Sequence, residues 1–209
     1  MEPYSEDDRL MTVFPTAYFP SIQYLRTFLR ANEPRIEMHE HFQKQTIRSR
    51  CEILTANGIL RLSIPTLHES GRKIPLKELK IDHSGTWKND HWRAITSAYA
   101  LAPYFEDYAK EIKTIIFSDD TYLWEKNERC LSLMEDVLNQ PLCIQYTEAF
   151  HGISGDSSKN AYLEHDSWTL ASYQQVFSYD KPFTSNLSMI DLLFNEGPFC
   201  RKWVLATED

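Results

Sequence analysis

The chain is short of the loops that hold nucleotides. Its six glycines stand in neither a GxxxxGK(S/T) nor a GxGxxG setting, which argues against an enzyme that binds a nucleotide through either phosphate loop. There is no GxSxG elbow and no Cys-His signature, so nucleophilic catalysis has no recognisable carrier. The four cysteines, Cys51, Cys130, Cys143 and Cys200, make no CxxC pair. That argues against a zinc ribbon or a thioredoxin-type site and fits free thiols in a reducing cytoplasm. No run approaches the roughly 20 apolar residues of a membrane span, and the acidic start "MEPYSEDDRLM" lacks the apolar stretch of a secretory signal. Positive charge is scarce as well: 22 Lys and Arg face 30 Asp and Glu, a formal charge of −8. A general nucleic-acid binder needs a positive face, so none is expected, whereas a local cationic pocket for a small anion remains open.

What is present reads as an ordinary globular chain, 42% hydrophobic and 25% charged. Aromatic residues reach 13%, enough to fill a core and also to line pockets or sugar-binding surfaces. Neither a repeat nor a linker is visible. We expect a loose leader over residues 1–10 and a single α/β domain over 11–209. Its mixed sheet should hold a central β-hairpin with helices packed around it.

The hairpin carries the strongest local signal. In "RSRCEILTANGILRLSIP", Asn57-Gly58 is the preferred pair for a two-residue type I′ turn. That turn pairs Ile53 with Leu62 and Cys51 with Ile64. One face then holds Cys51, Ile53, Thr55, Leu60, Leu62 and Ile64, and the other Arg50, Glu52, Arg61 and Ser63. Upstream, a short strand is expected over 11–14, then a helix over 21–31 with Ser21 as its N-cap. Its first turn could hold an anion. "RIEMHEHF" alternates like a strand, "IPLKELKID" resembles an edge strand, and "CIQYTEAF" a further one. Helices are expected over 87–102, 104–117 and 121–138, and in "NLSMIDLLFNEGP" from Ser188 or Asn186 to Gly197. Residues 68–73 and the polar stretch "HGISGDSSKNAYLEHDSW", 151–168, read as loops.

Chemistry has few candidates. His39 and His41, two apart in the supposed strand, could give two metal ligands, but spacing places no third, and no metal is expected. Lys44, Arg48 and Arg50 gather cations ahead of the hairpin. Arginine offers a planar fork for carboxylate or phosphate and lysine a point charge, while a solvated strand face is the plain alternative. His91 lies on the apolar stripe of its helix beside Trp87. It suits either a hydrogen-bonded core histidine or a general base near neutral pH.

Several stretches together resemble the WbqC-like family of bacterial proteins in its Bacteroidetes form. They are "AYFPSIQYLRTF", "HFQKQTIRSRCEILTANGILRLSIPT", "WKNDHWRAITSAYALAPYFEDY" and "NLSMIDLLFNEGP". The resemblance implies a transferase of O-antigen or other surface-polysaccharide biosynthesis, including glycine transfer to a sugar. It points to Tyr18, Pro20, Gln23, Lys44, Arg48, Arg50, Trp87, His91, Tyr99, Pro103, Phe105, Ser188, Asp191 and Gly197. In that scheme His91 is the catalytic base. Tyr18, Gln23, Lys44, Arg48, Arg50, Trp87, Tyr99 and Asp191 bind a small anionic substrate, a nucleotide- or carrier-linked sugar, and no cofactor is expected. A non-catalytic ligand-binding or assembly protein of the same pathway is the alternative. Ser49 stands where the family often has Asn between the arginines, and the segment over about 150–185 is shorter than in long members.

Overall fold

The first strand, β1 (Thr12–Phe14), leads into a connection, residues 15–21, that is buried at every position. The structure is a computed structural model and describes residues 11–67, 73–153, 172–177 and 182–205. α1 (Ile22–Arg30) follows, its N-cap Ser21 accepting a hydrogen bond from the Tyr24 amide. The chain then returns as β2 (Pro34–Ile36), parallel to β1. Much later β7 (Gln145–Tyr146) adds to β2, also parallel, so three short strands lie in the order β1-β2-β7. The supposed strand through His39 and His41 ends at Ile36, and the one over 143–150 shrinks to two residues. In "IPLKELKID" a 3₁₀ turn, Leu76–Glu78, precedes β6 (Lys80–Ile81), which pairs with β5 (Thr66–Leu67).

β3 (Arg50–Thr55) and β4 (Gly58–Ser63) form the expected hairpin as a two-stranded sheet of its own. The mixed α/β class stands, with its strands spread over three small sheets. The hairpin register differs from expectation by two residues: Cys51 pairs with Leu62 and Ile53 with Leu60, closing on Thr55 and Gly58. Of the turn residues only Gly58 has positive φ, at 104°, so the turn is not type I′. A two-residue slip preserves the faces, and Cys51, Ile53, Leu62 and Ile64 are all buried. β3 is buried on both faces, Glu52 and Leu54 included, whereas β4 is largely exposed.

Helices α2 (Trp87–Tyr99), α3 (Phe105–Phe117), α4 (Leu123–Leu138), α5 (Met189–Glu196) and α6 (Cys200–Leu205) enclose β3 and α1. Along α2 the stripe Trp87, His91, Ile95, Ala98 and Tyr99 faces inward. One continuous hydrophobic cluster runs from Phe14 to Val204. α3 ends on a buried lysine of α4: the Lys126 ammonium donates to the carbonyls of Ile115 and Ser118 and pairs with Asp120 at 3.1 Å. It thereby satisfies acceptors that a helix C-terminus leaves open. Gly197 ends α5 with φ 52°. No helix among the described residues is long and apolar enough to cross a membrane.

Candidate functional site

Three candidates converge where the buried β1–α1 connection meets α2 and the hairpin. The Tyr18 hydroxyl lies 3.1 Å from His91 Nδ1, and His91 Nε2 lies 3.2 Å from the Ser63 carbonyl. A carbonyl only accepts, so Nε2 carries the proton; Nδ1 then accepts from Tyr18. Trp87 meets the His91 ring edge-on at 5.2 Å, with its own N–H donated to the Asp82 carbonyl. His91 is 4% exposed and Tyr18 fully enclosed. Burial lowers the imidazole pKa from 6.5 to about 4, against an opposing pull from the Ser63 carbonyl, so the ring is neutral near pH 7. This is the environment of a hydrogen-bonded core histidine. No arginine is among its bonded partners.

The three cations have different surroundings. Arg48 lies in a turn before β3, not on the strand beside Arg50, and is buried. Its guanidinium donates two bonds of 2.6 Å to the two carboxylate oxygens of buried Glu40, a bidentate pair that neutralises it. The Asn127 amide donates to the Arg48 carbonyl. Arg50, half-buried, opens β3 opposite Ser63, the residue whose carbonyl holds His91. Lys44 is exposed. Neither Arg50 nor Lys44 forms an ion pair with a described residue.

A second buried network lies further along α2. The Tyr99 hydroxyl accepts from the Leu54 amide and donates to Asp191 Oδ1 at 2.8 Å. The other Asp191 oxygen accepts from the Tyr173 hydroxyl at 2.5 Å and from Gln175 at 3.0 Å. These bonded donors are all neutral, and burial raises the carboxyl pKa despite them. Gln23 is tied off separately, exchanging two bonds with Asn186. The first turn of α1 holds no anion site: the Ile22, Gln23 and Tyr24 amides go to the Leu187 carbonyl, Asn186 and Ser21.

With this geometry in place, comparison with known proteins adds one finding. A family model described as the WbqC-like protein family matches residues 16–166. The chain belongs to the WbqC-like family. No curated protein and no solved structure matches it. The WbqC-like match takes in Tyr18, Gln23, Lys44, Arg48, Arg50, Trp87, His91 and Tyr99, and leaves Asp191 beyond its end.

Within this WbqC-like chain the two histidines stand in different surroundings. His39 Nε2 faces the Thr147 carbonyl at 3.2 Å, His41 is exposed, and no cluster of three metal-ligating side chains occurs among the described residues. A groove of about 850 Å³ between α3 and α4 is lined by residues such as Trp124, Glu128, Arg129 and Asp136, and by none of the expected site residues. Sequence reasoning missed Glu40, Ser63, Tyr173 and Gln175. Glu40 had a signal, an acid flanked by histidines just ahead of the arginines. Ser63 acts through its backbone, and Tyr173 and Gln175 lie in a segment for which no element was expected, so nothing marked them.

Proposed function

We propose that this WbqC-like chain is a transferase of bacterial surface-polysaccharide, O-antigen-type, biosynthesis that acts on a sugar attached to an anionic carrier, with aminoacyl (glycine) transfer as the reaction. Family membership over residues 16–166 supports the pathway. The observation that supports the binding role is half-buried Arg50, without an ion pair among the described residues and opposite Ser63, whose carbonyl holds His91. Arg50, with Lys44 as a more distant point charge, would hold the phosphate or carboxylate of the carrier. Arg48 would stiffen the turn that presents them, its charge spent on Glu40. Alignment of two bound substrates can contribute roughly 7–11 kcal/mol without a covalent intermediate. No nucleophile is therefore required. For His91 to take a proton from the attacking amine, Tyr18 would relay it, because Tyr18 occupies Nδ1.

One observation favours a second reading, in which the chain binds the carrier-linked sugar without transforming it: Tyr18 and His91 are enclosed. A thermal-shift titration with nucleotide sugars, aminoacyl carriers and inorganic phosphate separates the cases. Both readings expect stabilisation by an anionic ligand, with affinity in Arg50→Ala lowered by roughly tenfold or more, the value of a charge-assisted bond. Only the transferase reading expects His91→Gln to lose turnover while keeping that binding. No stabilisation by any of these anions at millimolar concentration overturns both.

A further inference from the structure

The outer edge of the hairpin is open, and its bonding pattern specifies what fits it. In β3 the Glu52 carbonyl accepts from the Ser188 amide and the Leu54 amide donates to Tyr99, so even-numbered residues of β3 point away from β4. The Ile64 amide donates to the Ser49 carbonyl, continuing the bonded pairs Cys51–Leu62 and Ile53–Leu60. In β4 the amides and carbonyls of Ile59, Arg61 and Ser63 therefore point outward. α2 covers the far end, where His91 takes the Ser63 carbonyl. Ile59 and Arg61 remain, with no backbone partner among the described residues. Beside them Ile59 and Leu60 are 45% and 39% exposed.

Sheet edges are normally shielded by a free lysine, a proline, a bulge or a covering segment. β4 has no lysine or proline, and its one charge, Arg61, is already bound to Glu52 at 2.6 Å. We propose that β4 pairs antiparallel with β4 of a second copy of this chain, about a two-fold axis at Leu60. Three symmetric registers use the outward groups. An axis at Arg61 sets like charges opposite each other and needs the Ser63 carbonyl that His91 holds. An axis at Ile59 draws Asn57, a turn residue, into the ladder. The axis at Leu60 pairs Ile59 with Arg61 of the second copy and the reverse, strand residue to strand residue, and meets neither obstacle. It sets the two Leu60 side chains face to face, on the side that carries Ile53 and Leu62, so the core extends across the axis. Such isologous pairing closes at two copies.

Sedimentation velocity on the full chain, with exposed Cys143 replaced by Ser, tests this. The expected species has twice the 24.6 kDa of the chain and dissociates on dilution. Leu60→Cys sits at a non-hydrogen-bonded pair with Cα atoms about 4.5 Å apart and should cross-link on mild oxidation, with Ile59→Cys much slower. Leu60→Lys places two ammonium groups at the axis and should weaken association by tenfold or more with an unchanged circular dichroism spectrum. A chain monomeric at every concentration, which would leave the edge to an extended segment of another protein, overturns the proposal. So does a dimer that cross-links through Ile59→Cys in preference to Leu60→Cys, and this arm holds whether or not Leu60→Lys folds.

Discussion

Acidification should destabilise the fold through His91, by an amount set by its enclosure. The imidazole is neutral in the folded chain with a pKa of about 4, whereas an unfolded histidine titrates at 6.5. Between those values the unfolded state binds a proton that the folded state refuses. Stability from this group is therefore complete above pH 6.5 and is lost as pH falls toward 4. The gap corresponds to about 3 kcal/mol, a large share of the total stability of a typical domain. The perturbation is His91→Gln, whose amide can still donate to Ser63 and accept from Tyr18 but does not titrate. Urea unfolding followed by tryptophan fluorescence, at intervals from pH 7.5 to 4, gives two stability curves. Their difference should change by about 3 kcal/mol across that range, carboxylates elsewhere cancelling in the subtraction. Parallel curves, or an imidazole seen by NMR to titrate at or above 6.5, would refute the enclosed, doubly bonded histidine. The same result would reopen a solvent-reachable base.

Two further changes probe what holds the candidate site. Glu40→Gln leaves the buried Arg48 guanidinium without its countercharge and should cost about 3–5 kcal/mol in chemical unfolding. Replacing the pair together, as Glu40→Leu with Arg48→Met, should recover most of it, and a single-variant loss below about 1 kcal/mol would show the pair to be solvated. Gly197→Ala puts a methyl into the Tyr104 ring at a φ of 52°, with an expected cost of roughly 2–4 kcal/mol. A double-mutant cycle with Tyr104→Ala should return part of that loss; strict additivity would mean that backbone strain alone is responsible.

Periodic, cap and turn signals were legible in the sequence, and the partners of buried charges were not. The α2 stripe, the Ser21 and Ser188 caps and Gly197 follow from spacing and turn chemistry and occur in the fold, and the apolar face of the hairpin is buried except at its Leu60 end. The alternation in "RIEMHEHF" misled, because Glu37 is buried through partners far along the chain and Glu40 through an arginine eight residues on. Glu37 accepts from Thr147 and from the amides of His151 and Gly152, and Glu40 binds Arg48. Local alternation cannot register such partners. The turn register failed for a related reason: Asn-Gly permits two positive φ values, and here only the glycine takes one. At the candidate site, the inward placement of His91 is visible from its stripe, whereas Tyr18 and Tyr99 were marked only by the family resemblance. Whether Arg48 is free or neutralised depends on a single acid eight residues upstream, a contact that composition does not encode.

α2 bears on its inward face two polar groups, His91 and Tyr99, eight residues and thus about 12 Å apart along the axis. One reaches the carbonyl of Ser63 in β4 and the other the amide of Leu54 in β3. A purely apolar stripe is tolerant of sliding or rotation, since leucine against leucine is much the same one turn along. Two directional bonds at opposite ends admit one axial position and one rotation, because any other leaves a buried donor or acceptor empty. Replacing both with apolar residues of matching shape could therefore leave the chain as stable as before and yet blur where α2 lies against the hairpin end that carries Arg50 and Ser63.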